Sequence, residues 1–191
     1  MPCHFHKTEL EFNIEMHLKN VITVLLVEHA YSRYFIFMQT RPDCIFCKIV
    51  SGEVPSHTVW EDGTHTAFLS IFPNTEGTTV VIPKEHHPSY AFDLPDNVLS
   101  ELMRATKKVA KLLDAKLEDV GRTAMVFEGY GIDHVHAKLF PMHGTAGLKE
   151  WKKIESRVDK YFDQYEGYIS SHDYERADDV ALAALAKRIR E

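Results

Sequence analysis

Three cysteines in 191 residues are too few to staple a chain of this size into a disulfide scaffold. Two of them form a Cys-x-x-Cys, Cys44 to Cys47, and a reducing cytoplasm suits that usage better than secretion does. Long apolar stretches are missing as well. The only apolar run near the N-terminus, from Val21 to Val27, has seven residues and no small-residue cleavage site after it. A membrane span needs roughly 20. Positive charge is not in excess either: 22 lysines and arginines stand against 28 aspartates and glutamates, a net charge of −6. That balance argues against a long nucleic acid as partner, while leaving room for a small anion in a local basic pocket.

What is present is ordinary for a globular protein, with 45% hydrophobic and 26% charged residues. The length allows one full core and does not demand two. Residues 1–37 carry no motif. A start at Met38 would make them upstream read-through; otherwise they are a short native extension. The organisation expected is an extension over 1–37, a domain over 38–147 and a C-terminal helical extension over 148–191.

Along the chain, Cys44 to Val50 reads as a tight knuckle before a turn at Ser51-Gly52. Short strands follow at 58–60, 66–70 and 78–82. Asp93, Pro95 and the apolar stripe Val98, Leu102, Ala105, Val109, Leu112 and Leu113 predict a helix whose stripe is core. Residues 123–127 form a strand that pairs antiparallel with the one after it. Helical period returns from Leu148 to Tyr165, and a last helix starts at Asp178-Asp179 and ends in Lys187, Arg188 and Arg190, in the charge order that suits its dipole.

The chemistry concentrates between Glu128 and Gly144. Two glycines and an aspartate make a turn, and the residues after it alternate polar with apolar up to Pro141, the period of a half-buried strand. His134, His136 and Lys138 then share one face while Val135, Ala137 and Leu139 enter the core. Two imidazoles and an ammonium in a row repel one another unless something anionic sits on them, and a phosphate is the expected guest. An exposed polar sheet face, and a metal held by the two histidines, are the competing readings. Cys44 and Cys47 suit zinc better than redox chemistry, because short strands rather than a thioredoxin-like βαβ unit follow them. Two further ligands must come from elsewhere to close a tetrahedron. A reduced, metal-free thiol pair is the alternative.

The stretch from His134 to Phe140 resembles the histidine triad motif, His-φ-His-φ-His-φ-φ with φ apolar, of the histidine triad (HIT) nucleotide hydrolases and transferases. Lys138 stands at the third histidine's position. Cys44 to Ile49, Ala67-Phe68-Leu69 and Gly77 to His86 fall in that family's order and at about its spacing, so the resemblance covers roughly residues 44 to 144. It implies an α+β fold, an antiparallel sheet of about five strands packed with a helix, and a homodimer. It also implies attack by His136 on the α-phosphorus of a nucleoside phosphoramidate or dinucleoside polyphosphate through a nucleotidyl-histidine intermediate. Lys138 would clamp the phosphate beside His134, with Phe68, Ser70, Phe127, Gly131 and His143 around the substrate. Zinc would sit on Cys44, Cys47, His86 and His134, with His87 as the alternative to His86.

Two positions depart from the family's pattern: Ser70 where an aspartate commonly grips the ribose, and Phe127 where an asparagine often stands. A non-catalytic nucleotide- or metal-binding module is the rival reading. A zinc enzyme with metal on His134 and His136 would need a third ligand on their face, and Lys138 is a poor one at neutral pH.

Overall fold

The computed structural model describes residues 41–146 and 174–191, all within one unit, Arg41–Glu191. The segments 1–37 and 148–165 discussed above lie outside the described residues. Five strands form a single antiparallel sheet: β1 (Thr58–Glu61), β2 (His65–Leu69), β3 (Thr79–Pro83), β4 (Thr123–Val126) and β5 (Ala137–Pro141). Their order is β1-β2-β3-β5-β4, which leaves β2, β3 and β5 in the interior, with β2 and β3 buried at every position.

Alternation along these strands sends apolar side chains to both faces. Ala67, Leu69, Val81, Ala137 and Leu139 meet the helices α2 (Asp96–Lys116) and α3 (Asp179–Arg190) in the main core. From α2 come Leu102, Ala105, Val109 and Leu113, four of the six predicted stripe residues, with Leu112 partly buried beside them; from α3 come Leu182, Ala186 and Ile189. On the opposite face Phe68, Val80 and Ile82 pack with Cys44, Phe46 and Cys47 of a short helix, α1 (Ile45–Ser51). That second cover decides the surroundings of the triad residues, since a helix now lies where a solvated face would have been.

Two local expectations need correction. Cys44 to Val50 is not a knuckle but a helix with Cys44 at its N-cap, because nothing between Ile45 and Ser51 breaks a helix and Phe46 and Cys47 have an apolar sheet face to bury against. It stops at Gly52, whose φ of 78° returns its N–H to the Ile49 carbonyl. Likewise Asp93 does not cap α2: it closes a 3-10 turn, Ala91–Asp93, and the helix starts after Pro95. Proline disfavours helical backbone in the residue before it, and Leu94 is extended with ψ 149°. At α3 the Asp178 carboxylate accepts from the Ala181 N–H at 2.9 Å, a side-chain cap where the sequence placed the helix start. Among the described residues, no helix is long and apolar enough to cross a membrane.

Candidate functional site

His134 and His136 lie just ahead of β5, and both are buried, beneath α1. Their rings do different things. The His134 Nε2–H donates to the Pro83 carbonyl at 2.9 Å, so its Nδ1 carries the lone pair, and that atom lies 3.5 Å from Cys44 Sγ and 3.7 Å from Cys47 Sγ. His86 brings Nδ1 to 3.5 Å from the Cys47 sulfur. The four ligand atoms of Cys44, Cys47, His86 and His134 all lie within 4.8 Å of one another.

Two sulfurs and two imidazole nitrogens at this separation could hold a metal, and the set has the chemistry of a closed tetrahedral site. His87 is not part of it; its carbonyl instead accepts the Val135 N–H at 2.9 Å. Burial pushes the Cys47 thiol up to about 11 and holds the His134 imidazole down to about 4, so without a cation both groups are neutral. A bound cation would displace the thiol protons. On His86, Nε2 lies 3.3 Å from Arg41, which also reaches Asp133 at 2.8 Å. With a metal on Nδ1 the His86 proton moves to Nε2, and the Asp133 contact is the one Arg41 would keep.

His136 faces the other way. Its Nδ1–H donates to the His134 carbonyl at 2.8 Å, which leaves Nε2 as the lone-pair atom, and the ring borders a cavity of about 370 Å³. Burial holds this imidazole below the usual histidine range, and Lys138 nearby acts in the same direction. The ring packs edge-on against Phe46, with centroids 5.3 Å apart. Along with the apolar side chains of Phe46, Ile49 and Phe68, the cavity presents Ser70, Glu128 and Lys138. Lys138 pairs in register with Val80 on one side and Val126 on the other, and its Nζ stands 3.0 Å from Glu128 Oε2.

Of the residues singled out from sequence, His136, Lys138, Ser70, Phe68 and Gly131 line this cavity. His134 stands behind it in the metal-competent cluster. Phe127 instead packs against the main core, because β4 turns it to the α2 side of the sheet. His143 is also outside the cavity: beyond the end of β5 its ring is tied to Asp119 Oδ1 at 2.8 Å and to the Glu76 carbonyl at 2.9 Å. Sequence reading assigned no role to Glu128 or His57, both of which line the cavity. Period-2 counting past Val126 would have found Glu128 on the face of Lys138.

These features define a class: an α+β protein in which a four-donor metal-competent cluster backs a histidine aimed into a largely apolar cavity. The chain belongs to the HIT domain family, whose sequence pattern matches residues 51–144. It is 35% identical over 111 residues to an uncharacterized HIT-like protein of Methanocaldococcus jannaschii, covering 54% of this chain and 82% of that one. It is 36% identical over 117 residues to an adenosine 5'-monophosphoramidase of Candida albicans, covering 57% and 76%. The crystal structure of a hypothetical histidine triad nucleotide-binding protein from Sulfolobus tokodaii matches with a TM-score of 0.57 at 24% identity, over 77% of this chain and 89% of that one, and shows the shared fold.

Proposed function

We propose that the protein is a nucleotide hydrolase or nucleotidyl transferase acting at the α-phosphorus of a nucleoside phosphoramidate or dinucleoside polyphosphate. The observation that carries this is the hydrogen bond between His136 Nδ1 and the His134 carbonyl. With its Nδ1 proton committed to the His134 carbonyl at 2.8 Å, Nε2 offers a neutral lone pair to the cavity that Lys138 shares. Nε2 attacks phosphorus, the leaving group departs, and an acceptor later releases the nucleotide from His136. Lys138 places a positive charge against the phosphoryl oxygens as their charge redistributes. A cavity of about 370 Å³ lies within the range of small-molecule sites. Relatives named adenosine 5'-monophosphoramidase, from Candida albicans and Saccharomyces cerevisiae, support phosphoramidate hydrolysis.

Ser70 replaces the charged acceptors that would grip a ribose diol. Its Oγ accepts the Phe72 N–H at 3.2 Å, which leaves the hydroxyl proton for the ligand. We assign zinc to Cys44, Cys47, His86 and His134 in a structural role, since all four donor positions are filled by protein and none is left for water. We propose a homodimer, as the family resemblance implies, in the reducing cytoplasm that the cysteine usage suits. The test is intact-mass analysis after brief incubation with a panel of phosphoramidates and dinucleoside polyphosphates. A mass increase of one nucleotidyl group, absent in His136→Ala, is the expected result. Nucleotide binding with no adduct would reduce the protein to a binding module, and turnover by His136→Ala would end the nucleophilic reading.

A further inference from the structure

Glu128 is the one carboxylate among the cavity's described lining residues, and its side chain is more than nine-tenths buried. Its two oxygens are the only buried side-chain polar atoms, among the described residues, that receive no hydrogen bond. Lys138 Nζ stands 3.0 Å from Oε2 but off the hydrogen-bonding direction, so the pair attracts without saturating the carboxylate. The placement is built in. β4 ends at Val126 opposite Lys138, Glu128 continues the alternation onto the same face, and Gly129 turns the chain away at φ 71°. A Cβ at Gly129 would meet the Tyr90 ring at 3.2 Å, so the turn after Glu128 is reserved for glycine. A buried acceptor left open is costly, and at the wall of a ligand cavity it marks where a donor on a ligand or co-substrate binds.

We propose that Glu128 is the general base of the release step and that Glu128 and Lys138 recycle one proton through the two halves of the reaction. This rests on the reading of His136 as nucleophile. In the first half His136 Nε2 bonds to phosphorus, and the bond from phosphorus to the leaving nitrogen or oxygen breaks with its electron pair on that atom. Lys138 gives that atom a proton and becomes a neutral amine. In the second half the oxygen of an acceptor hydroxyl, water in hydrolysis, bonds to phosphorus. The bond to Nε2 breaks, its pair returns to the imidazole, and the acceptor's proton passes to a Glu128 oxygen. The two side chains, 3.0 Å apart, then turn into hydrogen-bonding alignment, the proton passes to Lys138, and the ion pair is restored.

The experiment is rapid-quench mass analysis of wild type and Glu128→Gln with a nucleoside phosphoramidate. Glu128→Gln should form the adduct within a few-fold of the wild-type rate and release it about 10²-fold more slowly, the usual contribution of a positioned base. The adduct then accumulates. Azide, a nucleophile with no proton to lose, should restore release in Glu128→Ala with the nucleotidyl azide as product. Release by Glu128→Gln at the wild-type rate overturns the proposal. So does equal loss of adduct formation and release without azide rescue, which marks a structural role. Glu128→Asp, checked by thermal melting beside the other variants, should keep part of the release rate and guards against misfolding. If the wild type forms no adduct, or His136→Ala still forms one, the nucleophile reading itself fails and takes this proposal with it.

Discussion

At the scale of single residues, Lys138 is an ammonium held between Val80 and Val126 with Glu128 beside it, a setting in which a charge acts far more strongly than in water. Lys138→Ala should therefore slow turnover on the order of 10²-fold without abolishing the nucleotidyl adduct. Lys138→His places an acid matched to neutral pH at the same point, and should raise hydrolysis of poor leaving groups more than good ones. Both are read from steady-state rates across a leaving-group series; a uniform effect on all leaving groups would refute the protonation role. His136 and Lys138 were legible in the sequence because a period of two needs no knowledge of the partner strands. Burial of the histidines was not, since it comes from α1, some 90 residues earlier in the chain. His57 was hidden for a similar reason: Asp179 of α3 holds its ring at 3.0 Å, across 122 residues.

Among the elements, α1 has seven residues, too few to be helical alone. Its stability comes from Phe46 and Cys47 against the sheet and from whatever sits on Cys44 and Cys47. Cys44→Ser should abolish zinc in metal analysis of untagged protein and lower the thermal midpoint, whereas His87→Ala should leave the zinc content near one per chain. A folded wild-type preparation containing no zinc would sink the assignment. The knuckle reading failed here because Cys-x-x-Cys fixes only the sulfur spacing, which one helical turn also satisfies; the apolar residues between the cysteines needed a surface that only the folded sheet provides. At the other end of the chain α3 was legible from its acidic start and basic end. Its core role was not, because alanines spread apolar residues around the helix, and Leu182, Ala186 and Ile189 are picked out as core only by packing in the folded chain. Ile189 is fully buried there, and Ile189→Ala should cost about 2–5 kcal/mol in urea unfolding. A cost below 1 kcal/mol would show that α3 contributes little to the core.

For the molecule as a whole, stability should fall with acid. His65, His134 and His136 are all buried and held below the ordinary histidine value by loss of hydration. As pH drops through about 6.5 the unfolded chain takes up protons that the native state refuses, so native stability declines. For His134 the decline continues to about 4, and the gap corresponds to about 3 kcal/mol. His143 runs the other way: its hydrogen bonds to the Glu76 carbonyl and Asp119 raise its pKa, and its contribution is complete in acid and lost as pH rises through that raised value. One partly exposed ring does not offset three buried ones. Chelator-treated protein should therefore show a midpoint of denaturation that falls steadily from pH 7 to 4; a flat profile would mean that the buried rings protonate without cost.

One residue joins the two halves of the site. His134 presents its ring nitrogen to the cysteine sulfurs while its backbone carbonyl accepts the proton of His136, so the metal and the nucleotide proposed above would occupy opposite sides of a single amino acid. Their equilibria are then thermodynamically linked, and linkage is reciprocal. Whatever factor a bound cation adds to nucleotide affinity by ordering that carbonyl, a bound nucleotide must return to the affinity for the cation. At equilibrium, a chelator should accordingly strip the metal less completely from a nucleotide-loaded protein than from a free one.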